Sequence, residues 1–220
     1  MASLKHFLGS QIAKKIIMSL TGLALIAFLI VHLAGNLLIF GGADLYNTYS
    51  HILISNPFIV AAELILLAFF IGHFVNGIIL TIRNRHARIP YKKKKWADYT
   101  SRKSLSSSTM ILSGLLILIF VPIHLWVFKY GTYYTSTTTP EVRDIHRLVI
   151  EEFHEPIEIV WYSIAMIVIG FHLWHAFGSA FESLGVRYRK TVHRIGHALA
   201  ILIAGGFLII PLAIYFMTGD

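Results

Sequence analysis

Residues 16–40 read I-I-M-S-L-T-G-L-A-L-I-A-F-L-I-V-H-L-A-G-N-L-L-I-F. This run contains no Asp, Glu, Lys or Arg, and it is longer than the ~20 residues that a membrane-spanning helix needs. Four more apolar blocks of similar length follow, at Pro57–Ile82, Met110–Tyr130, Ile157–Phe181 and Gly196–Met217. We therefore predict an all-α integral membrane protein in which residues 1–220 form one domain with five transmembrane helices. We expect the first helix to be retained, because no small-residue cleavage site follows a short apolar core.

The composition excludes several classes of protein. Of the 220 residues, 56% are hydrophobic and only 14% are charged, whereas a soluble domain carries about 25% charged residues. The absence of cysteine rules out disulfides, cysteine-ligated iron–sulfur clusters in this chain and covalent haem attachment through C-x-x-C-H. The net charge of +8 comes from basic residues in the connections between apolar blocks, so we predict no nucleic-acid partner.

The basic residues also predict the orientation of the chain. All Lys and Arg residues except Lys129, Arg143 and Arg147 lie in the N-terminal arm, the second connection or the fourth connection. Short basic connections stay on the cytoplasmic side of a membrane. This distribution predicts a cytoplasmic N-terminus and a C-terminus outside.

Each of the first four blocks contains a histidine near its middle: His32, His73, His124 and His172. Ionisable groups inside a membrane are costly, so each one is a candidate functional residue. Counted from the cytoplasmic end of each block, His32 and His124 lie deeper than His73 and His172. The four residues therefore form two levels, about 5–7 residues or roughly 8–10 Å apart at ~1.5 Å per residue.

Two histidines on facing helices at one depth can supply both axial nitrogens of a haem iron. Such an iron has no open coordination position, which suits electron transfer. The alternatives are hydrogen bonds across a helix interface, another transition metal, and a haem-free channel or transporter in which the histidines relay protons or bind ions. By spacing alone His175, three residues after His172, is an equal candidate for the inner level. Glycines that can let helices or a flat ring approach closely are Gly22, Gly72, Gly77, Gly114, Gly170 and Gly178.

Four motifs in these blocks resemble a known family. They are S-L-T-G-L-A-L-I-A-F-L-I-V-H-L at Ser19–Leu33, G-H-F-V-N-G at Gly72–Gly77, S-G-L-L-I-L-I-F-V-P-I-H-L-W at Ser113–Trp126 and F-H-L-W-H-A-F at Phe171–Phe177. Their order and their histidines are similar to those of the membrane-anchor cytochrome b subunit of succinate:quinone oxidoreductases (succinate dehydrogenase or fumarate reductase). The match is to the single-chain, five-helix, two-haem form, and it spans nearly the whole chain.

The resemblance implies two haem b groups. It makes His32 and His124 the ligands of the distal haem iron, and His73 and His172 the ligands of the proximal one. It favours His172 over His175 because of the spacing to Leu184-Gly185 at the end of the helix. It also implies that the first four helices form the haem-binding bundle and that the fifth packs outside it.

The resemblance further implies partners on the cytoplasmic face, in the inner membrane of a bacterium. A flavoprotein with FAD would hold the succinate site of this complex II, which serves the tricarboxylic acid cycle. An iron–sulfur subunit would pass electrons through the proximal and distal haems to menaquinone or another quinone. The basic connections Arg83–Lys103 and Arg187–Arg194 lie on that face and are candidates for docking.

Two outer residues are candidates for quinone and proton chemistry. Glu63 lies near the depth of His32 and His124, where a desolvated carboxylate could relay the protons of quinone reduction; a bond to a neighbouring helix is the alternative. His51, in the first connection, is a second candidate. In some family members a glutamate precedes the inner ligand of the fourth helix by two residues, but Gly170 stands here. This departure favours a succinate dehydrogenase over a fumarate reductase.

One rival function lies within electron transfer. Another respiratory dehydrogenase, such as a hydrogenase or a formate dehydrogenase, can use a di-haem b anchor of similar design. Co-purifying FAD would indicate succinate chemistry, whereas nickel or molybdenum would indicate the rival.

Overall fold

A computed structural model describes residues 9–88, 105–137, 141–187 and 189–217. The described residues form seven α-helices: α1 Gln11–Leu37, α2 Ala43–Ile54, α3 Ile59–Arg88, α4 Leu105–His124, α5 Ile145–Glu152, α6 Pro156–Ser183 and α7 Lys190–Met217. These ranges contain no β-strand, only an isolated bridge between Thr135 and Arg143. Most of the basic second connection, including Lys92–Lys95, lies outside the described residues.

Five helical segments are long and apolar enough to cross a membrane. They are Gln11–Gly41, Ile59–Asn84, Thr109–Lys129, Pro156–Ser183 and Lys190–Met217. The predicted all-helical fold with five apolar spans is therefore confirmed for the described part of the chain, which has the character of a multi-pass membrane protein. The first and last helices begin earlier than the apolar blocks, because each continues through flanking polar residues.

Local sequence signals explain where the long helices begin and end. Ser10 caps α1 by accepting a hydrogen bond from the Ala13 amide at 3.1 Å. Pro156 occupies the start of α6, where its missing N–H is not needed. At the other end of α6, Gly185 has φ of 90° and Val186 N–H donates to Phe181 O at 3.0 Å, which completes a Schellman motif.

The long helices alternate in direction. Met18 and Gly22 of α1 approach Gly77 and His73 of α3, so these two helices run antiparallel. Contacts of the same kind show that α4 and α6 are antiparallel and that α6 and α7 are antiparallel. Chain direction therefore reverses from each span to the next, and Gln11 and Met217 lie at opposite ends of the bundle.

The buried core lies mainly between α1, α4, α6 and α7. Its members include Leu33, Phe120, Met166 and Ile203. Helix α7 packs mainly against α6 and α1, and no described side chain of α3 is fully buried. Helix α3 is thus held chiefly by α1, and its inward face reaches α6 through the contact between His73 and His172.

Two short helices lie at the end of the bundle near His32 and His124, where the sequence predicted only connections; this end is called the outer end, and the opposite one the inner end, after the predicted orientation. The Asn47 side chain joins them: it donates to the Asp144 carboxylate at 2.8 Å and accepts the His146 amide at 2.9 Å. Leu148 and Val149 of α5 are fully buried against the bundle. This pair of amphipathic helices, α2 and α5, covers the end of the bundle nearest to His32 and His124.

Candidate functional site

The outer histidine pair consists of His32 on α1 and His124 at the end of α4. Their ring centres are 5.9 Å apart and their planes are nearly perpendicular, at 87°. Phe28 stacks on His32, and Phe120 stacks on His124. The two imidazoles therefore face each other inside an aromatic enclosure.

The inner histidine pair consists of His73 on α3 and His172 on α6. Their ring centres are 6.4 Å apart, with an interplanar angle of 67°. No ring contact between His73 and His175 exists among the described residues, so His172 is the partner that the structure gives to His73. The structure thus brings together the same two pairs that the depth count joined; their role as ligands is a proposal.

The two levels are farther apart than the sequence count predicted. His73 lies beside Thr21 and Gly22, ten or eleven residues before His32 on α1. His172 lies beside Ser113, eleven residues before His124 on α4. At ~1.5 Å per residue the separation along the bundle is roughly 15 Å, not 8–10 Å. The prediction was wrong because it measured depth from the ends of apolar blocks, and those ends do not lie at one height.

Hydrogen bonds hold the Nδ1 atoms of the inner pair. His73 Nδ1–H donates to the Met18 carbonyl oxygen at 3.1 Å, and a carbonyl can only accept. His172 Nδ1 lies 2.9 Å from the Ser113 hydroxyl oxygen. Within the described part of the chain, neither Nε2 makes a hydrogen bond. This is the arrangement of a metal-ligating histidine, in which one ring nitrogen is fixed by a neighbour and the other is available.

The outer pair has different neighbours. His124 Nδ1 lies 3.2 Å from the hydroxyl of Tyr162, which is 5% exposed. Among the described residues, the only group within hydrogen-bond distance of the His32 ring is the Asn36 amide nitrogen, 3.4 Å from Nδ1 and 3.5 Å from Nε2. The better-aligned bond of that amide runs to the His32 carbonyl at 2.8 Å. The imidazole of His32 is therefore the least constrained of the four.

Tyr46 of the short helix α2 forms a hydrogen bond to the residue next to His32. Its hydroxyl donates to Asn36 Oδ1 at 3.1 Å. Burial, reinforced by the nearby Tyr49, raises the pKa of Tyr46 to about 12, so the hydroxyl stays protonated and keeps donating at neutral pH. Asn36 is thereby fixed next to His32.

Both histidine pairs fit a haem iron in spacing. Since metal–nitrogen bonds to histidine are about 2 Å long, two imidazoles on opposite sides of one ion have ring centres roughly 6 Å apart. The observed separations are 5.9 Å and 6.4 Å. A methyl group at Gly22 would lie 3.0 Å from His73 Cε1, and one at Gly114 would lie 3.7 Å from His172 Cε1. The absence of a side chain at position 22 therefore leaves the space beside the inner pair that His73 uses.

The other glycines that the sequence singled out differ in the residues that they face. Gly77 faces Met18, Gly170 faces Ala204, and Gly178 faces His193. A methyl group added to Gly72 would meet no described atom of another residue within 4 Å, so no helix approaches closely at this residue within the described part of the chain.

Glu63 forms an ion pair at the outer end of the bundle. Its carboxylate forms an ion pair with Lys129 Nζ at 2.5 Å, which joins the start of α3 to the end of the α4 segment. The side chains are 45% and 39% exposed, respectively. The structure therefore supports the alternative of a bond to a neighbouring helix, while Glu63 keeps its place at the outer level.

His51 lies on α2 and not in an irregular loop. Its Nε2 is 3.4 Å from the Ser55 hydroxyl, one helical turn further on, and its side chain is half-buried. The contact is local to α2.

A second group of histidines lies at the inner ends of α6 and α7. His193 Nε2 is 2.9 Å from the Glu182 carboxylate, and the His197 ring stacks on Trp174 with centres 3.9 Å apart. His175 is half-buried nearby. Among the described residues, no three His, Cys, Asp or Glu side chains converge as a metal site would require. This observation concerns such metal sites only and does not bear on haem.

Sequence reasoning missed the residues whose polar atoms lie within hydrogen-bond distance of the four imidazoles. These are Met18, Thr21, Asn36, Ser113 and Tyr162. A signal was present in two of the motifs, since T-G at 21–22 and S-G at 113–114 both stand ten or eleven residues before an outer histidine. Each of these dipeptides contacts the inner histidine of an adjacent helix.

No protein-family model matches the chain, and neither a curated protein nor a solved structure matches it. The family resemblance therefore rests on the four sequence motifs.

Proposed function

We propose that this chain is a membrane electron carrier that holds two haem b groups, one at each histidine pair. The observation that carries the proposal is the geometry of the four histidines. They form two facing pairs at two heights, with ring centres spaced as one shared metal ion requires. A haem-free channel gives no reason for this pairing.

His32 and His124 would hold the outer haem, and His73 and His172 the inner one. When bound, haem supplies reversible one-electron oxidation and reduction. Two histidine ligands would leave the iron no open site for oxygen, which suits electron transfer. The chain itself would contribute one imidazole nitrogen from each of the four histidines, the hydrogen-bond partners of these rings and the apolar side chains around them.

The particular function that we propose is the anchor subunit of a succinate:quinone oxidoreductase in a bacterial cytoplasmic membrane. The four motifs support this choice, and so does Gly170, which replaces the glutamate expected of a fumarate reductase. A flavoprotein with FAD and an iron–sulfur subunit would dock at the cytoplasmic end, and the succinate site would lie on the flavoprotein. The assembled complex could associate further into a higher oligomer.

Quinone, with menaquinone as the first candidate, would react at the outer end near His32 and His124. Two polar groups support a site there: the Glu63–Lys129 ion pair, and His51 on the covering helix α2. The Lys129 ammonium can donate a hydrogen bond to a quinone carbonyl oxygen, and the Glu63 carboxylate can accept one from a quinol hydroxyl.

The first experiment counts haems in the purified chain and in single variants. We expect the wild type to bind two low-spin b haems by haemochromogen assay and reduced-minus-oxidised spectra. His124→Ala should lose one of them, and His172→Ala should lose the other. His175→Ala is the matched control and should keep both. A colourless wild-type protein made with haem available would refute the proposal.

A second experiment addresses the partners. The complex purified from its native membrane should contain covalent or tightly bound FAD and reduce quinone with succinate. Nickel or molybdenum in the complex, without FAD, would refute succinate chemistry and leave the haem proposal intact.

A further inference from the structure

Ser113 makes two hydrogen bonds that define its chemistry. It lies on α4, is only 7% exposed, and its hydroxyl donates to the Met110 carbonyl oxygen at 3.1 Å. A serine hydroxyl has one hydrogen to give. With that hydrogen on the Met110 carbonyl, the serine oxygen can accept from His172 Nδ1–H across the 2.9 Å contact. This is the direction that applies when His172 ligates a metal through Nε2, because its proton is then on Nδ1.

The other histidine of the inner pair, His73, also has an oxygen acceptor at Nδ1. His73 Nδ1–H donates to the Met18 carbonyl at 3.1 Å. A second oxygen, the Thr21 hydroxyl, lies 3.4 Å from the same nitrogen, and its own hydrogen goes to the Ile17 carbonyl at 2.7 Å. The Met18 carbonyl therefore fixes His73 with a proton on Nδ1 and a lone pair on Nε2. The Ser113 oxygen gives His172 an acceptor for the same tautomer, so oxygens on α1 and α4 contact the two Nδ1 atoms from opposite sides.

The outer pair lacks such a constraint within the described part of the chain. Tyr162 can donate to His124 Nδ1 or accept from it, because no second partner among these residues fixes the direction of its hydroxyl. The polar neighbour of the His32 ring is an amide nitrogen, which does not accept a proton. Among the described neighbours, oxygen acceptors are therefore available to both inner Nδ1 atoms, whereas His32 of the outer pair has none.

We propose that Ser113 is a positioning residue for the inner haem, an inference that rests on the proposed function. By accepting from His172 Nδ1–H it would orient the ring and make Nε2, the nitrogen left to hold the iron, more basic. A more basic axial ligand favours ferric over ferrous iron, so Ser113 lowers the midpoint potential of the inner haem only. The same bond selects His172 over His175 as the ligand.

The test compares Ser113→Ala with Ser113→Thr, which keeps the hydroxyl. The control is Ser179→Ala, since the Ser179 hydroxyl donates within its own helix to the Ala176 carbonyl. Each full-length, haem-loaded protein is titrated electrochemically with optical detection, and its low-spin ferric signals are recorded by electron paramagnetic resonance. The haem that survives in His124→Ala identifies the inner one.

We expect Ser113→Ala to raise the midpoint potential of the inner haem and to shift its ferric signal, while the outer haem is unchanged. Ser113→Thr and Ser179→Ala should titrate like the wild type. Loss of the inner haem in Ser113→Ala alone would also support the role of the hydroxyl. If Ser113→Ala does not accumulate, Ser113→Cys should show a smaller shift in the same direction, because sulfur is a weaker acceptor.

Two results would overturn the inference separately from the proposed function. If the wild type holds two haems but neither alanine nor cysteine at position 113 moves the inner midpoint, Ser113 has no positioning role. Equal shifts of both haems would show a general structural effect and would have the same consequence. A wild-type protein without haem would instead refute the proposed function itself.

Discussion

At the scale of single residues, the bundle places hydroxyls and glycines where the inner imidazoles need them. Gly22 allows the His73 ring to approach the backbone of α1, while Thr21 beside it supplies an oxygen. Gly114 and Ser113 do the same for His172 from α4. A hydroxyl next to a glycine is a common pair in membrane helices, because small residues let helices pack closely. Here the pair also serves a histidine on the facing helix.

The residue-scale prediction concerns Gly22→Val. Its Cβ would lie 3.0 Å from His73 Cε1, and the branched side chain would force the imidazole away from His172. We expect the chain to keep the outer haem and to lose the inner one, as measured by haemochromogen assay. Gly205→Val is the control, because a Cβ at Gly205 on α7 would meet no described atom of another residue within 4 Å. Unchanged haem content in Gly22→Val would show that the inner site tolerates the displacement.

At the scale of elements, the end of α4 depends on one arginine. Pro122 removes a backbone donor from the helix, and the chain then widens into a π turn at Leu125–Lys129. Arg143 donates to four carbonyl oxygens of this region, those of Phe128, Lys129, Gly131 and Thr132, at 2.9–3.2 Å. The guanidinium therefore satisfies carbonyls that the wide turn leaves without partners, and it fixes the segment from which Lys129 reaches Glu63.

The element-scale prediction is that Arg143→Gln destabilises the outer end. The neutral amide has too few donors to replace the guanidinium, so we expect a loss of about 1–3 kcal/mol and a fall in apparent Tm of roughly 3–10 °C in detergent. Arg147→Gln is the control, because Arg147 forms an exposed ion pair with Glu151 and should change the Tm little. Equal effects of the two substitutions would contradict the special role of Arg143.

At the scale of the whole molecule, the reversal of chain direction from span to span creates two sites from four helices. Helices α1 and α4 run parallel and bring His32 to His124, whereas α3 and α6 run the other way and bring His73 to His172. The outer site is covered by α2 and α5, and the inner site lies toward the basic connections. This polarity is what the proposed function requires, in which electrons enter at one face and leave near the other.

The whole-molecule prediction is the orientation in the membrane. The bias of Lys and Arg predicts a cytoplasmic N-terminus and an external C-terminus. A fluorescent reporter that matures only in the cytoplasm should be bright when fused before residue 1 and dark when fused after residue 220. A periplasmic phosphatase reporter should give the opposite pattern. A bright C-terminal fusion with active N-terminal phosphatase would show that the orientation is inverted.

The sequence predicted the spans well because membrane insertion depends on local apolar length. A block such as 110–130 must be helical in lipid, where every backbone group needs an internal partner. The histidines could be found in the same way, since an ionisable residue in such a block is costly and conspicuous. Their pairing followed from depth, which is counted along the chain.

The sequence could not predict which surfaces of the helices meet. The separation of the two levels, roughly 15 Å at ~1.5 Å per residue, depends on the vertical offset of α1 against α3 and of α4 against α6, which side-chain packing decides. Ser113, almost fully buried beside His172, looked like an ordinary polar residue of a membrane helix until that offset was known. The Glu63–Lys129 ion pair likewise joins residues far apart in the chain.

The sequence by itself thus determined the five apolar helices, the alternation of their direction and the two levels of histidines. These features depend on properties that each segment carries alone: apolar length, charge at its ends and the position of a polar residue within it. Only the tertiary structure decided the height between the levels, the bonds that fix each imidazole and the helices that cover the outer end. Those depend on contacts between segments, because a hydrogen bond such as that between His172 and Ser113 exists only when two helices meet at one register.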